Sequence, residues 1–128
     1  NELFSVGGRN GLYITRFTMK ELDDLVPRKG DGTGGKSDRI VLFEFSSNAR
    51  NLELVIGKGD ESIRNKLGDV AITKGPYPRL LSERILDEKD VQNGSDEELF
   101  ELVANRTQAV LDDLVPPILD RIKHIRLK

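Results

Sequence analysis

Residues 39–60, RIVLFEFSSNARNLELVIGKGD, carry the densest apolar sequence of the chain and decide its fold. Residues 40–45 and 52–56 are apolar at every position except Glu44 and Glu53, which predicts two β-strands. On the first strand Val41, Phe43 and Phe45 share one face and Ile40, Leu42 and Glu44 the other, and on the second Leu52, Leu54 and Ile56 share a face opposite Glu53 and Val55. The polar connection over 46–51 contains asparagines, which tolerate tight turns. We therefore predict an antiparallel hairpin on which the core is built.

Further strands are predicted on both sides of this hairpin. A β-rich segment over 12–17 precedes it. The segment 79–86, RLLSERIL, is ambiguous between strand and helix. Because Pro78 comes directly before it and a strand would complete the sheet, we predict a strand.

Three helices are predicted from their start and stop signals. Thr18 and Glu21 have the spacing of a capping box, which predicts a short helix through Val26 that Pro27 ends. Asp60 is predicted to cap a helix over 61–70.

The last helical run, 96–125, follows a charged turn over 87–94 and begins at a second capping box, Ser95 with Glu98. Pro116-Pro117 must kink or split it. Its predicted inward stripe is Leu99, Val103, Thr107, Val110, Leu114, Ile118, Ile122 and Ile125. The predicted fold is thus α+β: a small antiparallel sheet of three or four strands covered by a short helix and a long, proline-kinked C-terminal helix.

Length and composition limit the classes of function. A chain of 128 residues fits one domain, and 20 Lys and Arg against 22 Asp and Glu give a net charge of −2, so any nucleic-acid contact must use a local basic patch. The chain has no cysteine and no apolar run near the roughly 20 residues that span a bilayer. We expect a cytoplasmic protein with no membrane partner. Because the sequence begins at Asn1 without methionine, we expect a fragment or accessory domain of a longer protein.

Two glycine-rich strings resemble phosphate-binding loops. Residues 30–37, GDGTGGKS, satisfy the G-x-x-x-x-G-K-[ST] pattern. That loop requires a strand before it and a helix after it, whereas here the predicted order is reversed, so we interpret the string as a surface loop. In the turn 57–60, Asp60 would occupy the positive end of the next helix and repel a phosphate, which favours an ordinary capped turn.

The only paired acids that the hairpin could bring together are Glu44 and Glu53. They lie on adjacent predicted strands and could hold magnesium for phosphodiester cleavage. The lysine that normally follows the second acid of such a nuclease is replaced by Val55. A zinc site has a single imidazole ligand available, His124, and no thiolate. We predict no bound metal and no cofactor.

Basic residues form a candidate nucleic-acid patch around the glycine-rich loop and the turns. The patch consists of Arg28, Lys29, Lys36, Arg39, Arg50 and Lys58. These side chains could contact phosphates, and scattered solubilising charge is the competing interpretation.

The order of elements and one motif resemble a known family. Leu54-Val55-Ile56-Gly57-Lys58-Gly59-Asp60, followed by Ile63-Arg64, resembles the "LVIGPGD…IR" segment in the C-terminal portion of bacterial PD-(D/E)XK nuclease-family proteins. This chain has Lys58 where proline is expected, and the metal-binding acids and lysine of the family's N-terminal domain have no counterparts here. The resemblance implies a setting beside a nuclease domain, in phage defence, and transfers no active site.

Three functions follow as hypotheses. The first is a non-catalytic accessory module of a nuclease-type protein, contacting DNA, RNA or a protein partner through the basic patch. The second is a minimal magnesium-dependent nuclease that uses Glu44 and Glu53. The third is a dimerisation or docking domain built on the C-terminal helix.

Overall fold

The computed structural model describes residues 5–7, 13–28, 39–46 and 50–127, and the side chains of 5–7 and 13–15 are not among what it describes. The elements are β1 (Ser5–Gly7), β2 (Tyr13–Phe17), α1 (Lys20–Leu25), β3 (Val41–Ser46), β4 (Asn51–Ile56), α2 (Glu61–Gly68), β5 (Arg79–Arg84), α3 (Glu88–Asn93), α4 (Asp96–Asp113) and α5 (Val115–Ile125). The fold is α+β, as predicted. Within these ranges, none of the helices has the length and apolarity that crossing a membrane requires.

The sheet has five antiparallel strands in the order β1-β2-β3-β4-β5. The predicted hairpin is confirmed as β3 and β4, with Phe43 opposite Leu54 and Glu44 opposite Glu53. The segment 79–86, ambiguous in the sequence, is confirmed as a strand: β5 pairs with β4 on the side that β3 does not occupy. The short strand β1 was missed, since three residues beside two glycines carry no alternating pattern.

The core lies on one face of this sheet. Alternate residues of β3 and β4 are buried, namely Val41, Phe43 and Phe45 on β3 and Leu52, Leu54 and Ile56 on β4. The rings of Phe17 and Phe43 stack with centroids 4.7 Å apart. Helices α1, α2, α4 and α5 add buried side chains to the same cluster, among them Leu22, Leu67, Val110, Ile118 and Ile122. Leu42 and Val55 face each other on the opposite side of the hairpin and belong to no part of the core.

The predicted capping box at Thr18 is wrong. Helix α1 begins at Lys20, its cap position is Met19, and no side chain caps it. Thr18 follows β2 directly and is buried, and its hydroxyl lies 3.5 Å from the Met19 carbonyl oxygen instead of reaching the helix amides. The residue therefore belongs to the packed end of the strand.

The C-terminal helix is split where the prolines predicted. The Ser95–Glu98 capping box is confirmed at the start of α4, which ends before Leu114, and the prolines lie in the first turn of α5. The predicted stripe is wrong at one position, because Leu114 is 40% exposed and Val115 is fully buried. At the break the inward position moves from 114 to 115, while Ile118 and Ile122 are buried as predicted.

The charged segment after β5 is a helix and not the predicted turn. An Asp87–Asp90 capping box starts α3. Arg106 of α4 donates from Nη1 to the Ile85 carbonyl and to Asp90 Oδ2, both at 2.7 Å. The hydrogen bond from Arg106, followed by the one from the Asp87 backbone amide, lowers the pKa of Asp90 below its ordinary value of 3.8.

Candidate nucleic-acid interface

The turn between β4 and α2 is built from the motif that carries the family resemblance. The Gly57 amide donates to the Ile40 carbonyl at 2.7 Å, so the turn lies beside the start of β3. Asp60 Oδ1 accepts from the Ile63 amide at 3.1 Å, which confirms the predicted cap. A Cβ at Gly59 would lie 2.7 Å from Ile40 Cγ1, and the φ of Gly59 is +157°. A side chain therefore cannot enter at this position without displacing a buried neighbour.

Arg64 joins this turn to the connection between α2 and β5. Its Nε donates to the Gly57 carbonyl at 2.7 Å, and its Nη2 donates to the Pro76 carbonyl at 2.5 Å. The side chain is 18% exposed, and its Nη1 also lies 3.3 Å from Glu61 Oε1. One guanidinium thus fixes two turns against each other through its rigid set of donors.

The α2–β5 connection is closed on itself and fastened to the sheet. The Ile72 amide donates to the Arg79 carbonyl at 2.7 Å, and the Arg79 amide donates to Thr73 Oγ1 at 2.8 Å. The Ile56 amide donates to the Pro78 carbonyl at 2.9 Å. Tyr77 lies between these fixed points and is 47% exposed.

Cationic side chains surround the two turns. Lys58 and Lys74 are exposed, and neither forms an ion pair with another residue in the described ranges. Arg28 and Arg39 form a β-bridge with each other, and Arg39 is adjacent in sequence to the residue that pairs with Gly57. We call the group of Arg28, Arg39, Lys58, Lys74 and Tyr77 the paired-turn surface.

Asp23 contacts both arginines of the paired-turn surface. Arg39 donates to its two carboxylate oxygens at 2.9 and 3.1 Å, and Arg28 lies 3.4 Å from Oδ2. The carboxylate orients both guanidiniums and offsets part of their charge. The two lysines are therefore the cations of this surface with the most charge available for a ligand.

The other predicted patch residues are not brought to this surface. Arg50 lies at the opposite end of the hairpin, where its Nη1 is 3.1 Å from Glu88 Oε1. Lys29, Lys36 and the string 30–37 lie outside the described residues. Helix α1 before that string and β3 after it have the predicted order, which is the reverse of a phosphate-binding loop.

Sequence reasoning missed Lys74, Tyr77 and the contact of Arg64 with Pro76. The Gly75-Pro76-Tyr77-Pro78 segment was interpreted only as a helix breaker. An aromatic residue between two prolines, close to a lysine, was the available signal for an exposed and rigid ring.

The register places the two candidate catalytic acids directly opposite each other, on the face that points away from the core. Glu53 Oε2 lies 2.6 Å from Arg79 Nε and accepts from Ser82 Oγ at 3.1 Å, and its side chain is 13% exposed. Arg16 of β2 is opposite Glu44 on its other side. Among the described residues, no group of three or more His, Cys, Asp or Glu is arranged to hold a metal ion.

His124 lies on the exposed side of α5, and its Nδ1 is 2.7 Å from the Asp120 carbonyl oxygen. A shallow cavity of about 250 Å³ beside it is lined by Asp120, Lys123, His124 and Arg126. The four residues lie in the last turns of α5 and directly after it, and none of them belongs to the paired-turn surface.

In comparisons with protein-family models, curated proteins and solved structures, no match to this chain was found. The resemblance of residues 54–64 to the nuclease family stays a prediction. What the structure adds is a structural role for the motif, since Gly57, Gly59, Asp60 and Arg64 together build the two fastened turns.

Proposed function

We propose that this chain is a non-catalytic accessory module that contacts nucleic acid through the paired-turn surface. The observation that carries the proposal is that Arg64 holds together the two turns whose exposed residues include Lys58, Lys74 and Tyr77. Exposed cations next to an exposed aromatic ring are the combination that nucleic-acid surfaces use.

The charges of this surface favour phosphate contacts over general solubilisation. Its neighbouring acids are engaged within the protein: Asp23 with two arginines, Asp60 with the helix amides and Glu61 with Arg64. None of the described acids forms an ion pair with Lys58 or Lys74, although Asp60 lies two residues from Lys58 and weakens the attraction of that turn for a phosphate. Because the whole chain has a net charge of −2, binding is local, modest and sensitive to salt.

The proposed setting is a nuclease-type protein of phage defence, which is the setting that the resemblance of residues 54–64 implies. In that setting another domain supplies the catalytic acids, and this module holds the substrate strand. The motif supports this assignment through Gly57, Asp60 and Arg64, which hold the turn that carries Lys58, the position at which this chain departs from the family.

The test is a salt series with a Lys58→Gln, Lys74→Gln double variant and fluorescently labelled DNA and RNA oligonucleotides. Each lysine that contacts a phosphate contributes roughly 0.7–0.9 to the slope of log affinity against log salt. We expect weaker binding and a slope that falls by about 1.4 to 1.8 in the variant.

The matched control is Lys89→Gln with Lys123→Gln, which removes the same charge from exposed positions on α3 and α5. We expect the control to bind almost as the parent protein does. Equal losses in both double variants, or no binding by the parent protein to either DNA or RNA, would contradict the proposal.

The second candidate is a magnesium-dependent nuclease, favoured by the direct opposition of Glu44 and Glu53. The contact of Glu53 with Arg79 opposes it, because a cation already occupies one carboxylate oxygen. Plasmid cleavage that needs magnesium and is lost in Glu44→Gln would support this function over the first. Cleavage that survives the substitution would assign the activity elsewhere.

A further inference from the structure

We infer that Tyr77 is a stacking surface for an unpaired base, so that the paired-turn surface takes single-stranded nucleic acid. The inference rests on the proposed function and names its class of ligand. It is carried by a combination of three observations at Tyr77: exposure of the ring, fixation of its backbone, and cations on both adjoining turns.

The backbone around Tyr77 is fixed on both sides. Pro76 accepts a hydrogen bond from Arg64, and Pro78 accepts one from the Ile56 amide of β4. Proline on each side also restricts the φ angles of this segment. The ring is 47% exposed and forms no hydrogen bond or ring contact with the described part of the chain, so stacking of a base requires little reordering of the protein.

The neighbouring charges match a strand that places its phosphates beside an exposed base. Lys58 lies on one of the two joined turns and Lys74 on the other, and both are exposed. In a duplex the faces of the bases are covered by their neighbours, whereas a single strand can offer one to an aromatic ring. The surface therefore fits a single strand better than a duplex.

A second exposed aromatic residue of the protein lacks these features. Phe100 is 48% exposed on α4, but Glu97, Glu98 and Glu101 lie beside it in the sequence. Acidic neighbours would repel a phosphate backbone. Phe100 thus provides a control that matches Tyr77 in exposure and differs in charge.

The experiment compares Tyr77→Ala, Tyr77→Phe and Phe100→Ala for binding to an oligothymidine strand and to a duplex of equal length. Loss of a stacked base weakens single-strand affinity by roughly 5- to 150-fold in Tyr77→Ala, while Tyr77→Phe stays within a few-fold of the parent. Phe100→Ala leaves the affinity unchanged, and duplex affinity changes little in any of the three.

Tyrosine fluorescence gives an independent readout. The chain has two tyrosines and no tryptophan, so in a Tyr13→Phe background the emission comes from Tyr77 alone. We expect the oligothymidine to quench this emission and an abasic strand with the same phosphates to leave it nearly unchanged.

The outcomes separate this inference from the proposed function. If Tyr77→Ala and Phe100→Ala both bind the single strand as the parent does, while Lys58→Gln with Lys74→Gln weakens binding, the stacking inference fails and the proposed function stands. If the lysine variant also binds normally, the proposed function fails with it. Preference for duplex over single strand, or quenching by the abasic strand alone, overturns the inference as well.

Discussion

Two arginines fasten turns at different places in this fold, and they do so with different acceptors. Arg64 donates to the backbone carbonyls of Gly57 and Pro76, and its side chain is 18% exposed. Arg106 donates to one backbone carbonyl, that of Ile85, and to the carboxylate of Asp90, and its side chain is 42% exposed.

Because their acceptors differ, the contacts of the two arginines respond differently to pH. Carbonyl acceptors do not titrate, so the hydrogen bonds of Arg64 to Gly57 and Pro76 are the same at every pH at which the protein folds. Arg64 also lies 3.3 Å from Glu61 Oε1, a carboxylate whose side chain is 76% exposed. The contact of Arg106 depends on a carboxylate that acid can neutralise. The turns proposed to bind nucleic acid are held mainly by hydrogen bonds whose acceptors do not titrate.

Removal of Arg64 is expected to have the largest effect on stability. We expect Arg64→Met to lower the free energy of unfolding by about 3 kcal/mol, because two hydrogen bonds from a charged donor are lost and two carbonyls lose their partner. Urea denaturation measures the change. Arg106→Met is the control, and we expect a smaller loss because its side chain is more exposed. A larger loss from Arg106→Met would reverse the ranking of the two contacts.

Two glycines allow a second test, Gly59 in the turn that Arg64 holds and Gly94 next to Asp90, the acceptor of Arg106. Gly59→Ala is expected to cost about 2 kcal/mol of unfolding free energy, because the added Cβ lies under 3.0 Å from buried Ile40 and φ is positive. Gly94, between α3 and α4, has a φ of −95°, and its added Cβ would lie 3.0 Å from the Asp90 carbonyl oxygen. Thermal unfolding of Gly59→Ala and Gly94→Ala side by side should show the smaller shift for Gly94. Equal shifts would mean that the Ile40 side chain moves away from the added Cβ at little energetic cost.

The smallest effect is the dependence on pH. The pKa of Asp90 is lowered in the folded protein, so its contribution to stability is complete above the ordinary value of 3.8 and is lost as the pH falls below it. The penalty of Arg106→Met should therefore shrink between about pH 7 and about pH 2.5, while the penalty of Arg64→Met changes less, because its two carbonyl acceptors do not titrate and its ion pair with Glu61 is exposed. Denaturation of both variants at the two pH values gives the answer. A penalty at Arg106 that does not change would show that the Ile85 carbonyl is its main acceptor.

Local patterns were enough to predict much of this fold. The two apolar segments of residues 39–60, with a polar connection between them, predicted the hairpin, and its register places Glu44 opposite Glu53. Asp60 and Ser95 predicted two helix starts, because a cap depends only on residues a turn away. Thr18 has the same local signal, but burial against the core overrides it.

The proposed contact surface could not be predicted in the same way. Arg64 meets Pro76 across 12 positions of sequence, and neither residue reveals the other through a periodic pattern. Arg50 was grouped with Lys58 because both lie near turns, yet the turns are at opposite ends of β4. Such groupings depend on which end of a strand each turn occupies, which is a property of the whole sheet.

The one-residue shift at Leu114 makes the length of the α4–α5 junction more important than its composition. Each residue turns an α-helix by about 100°. Deleting Leu114 or adding a residue beside it would rotate the inward stripe of α5 away from the sheet, exposing Val115, Ile118 and Ile122 together. Substitution of Leu114, which is 40% exposed, leaves that phase intact. Among homologous chains this junction should vary in sequence while its residue count stays constant.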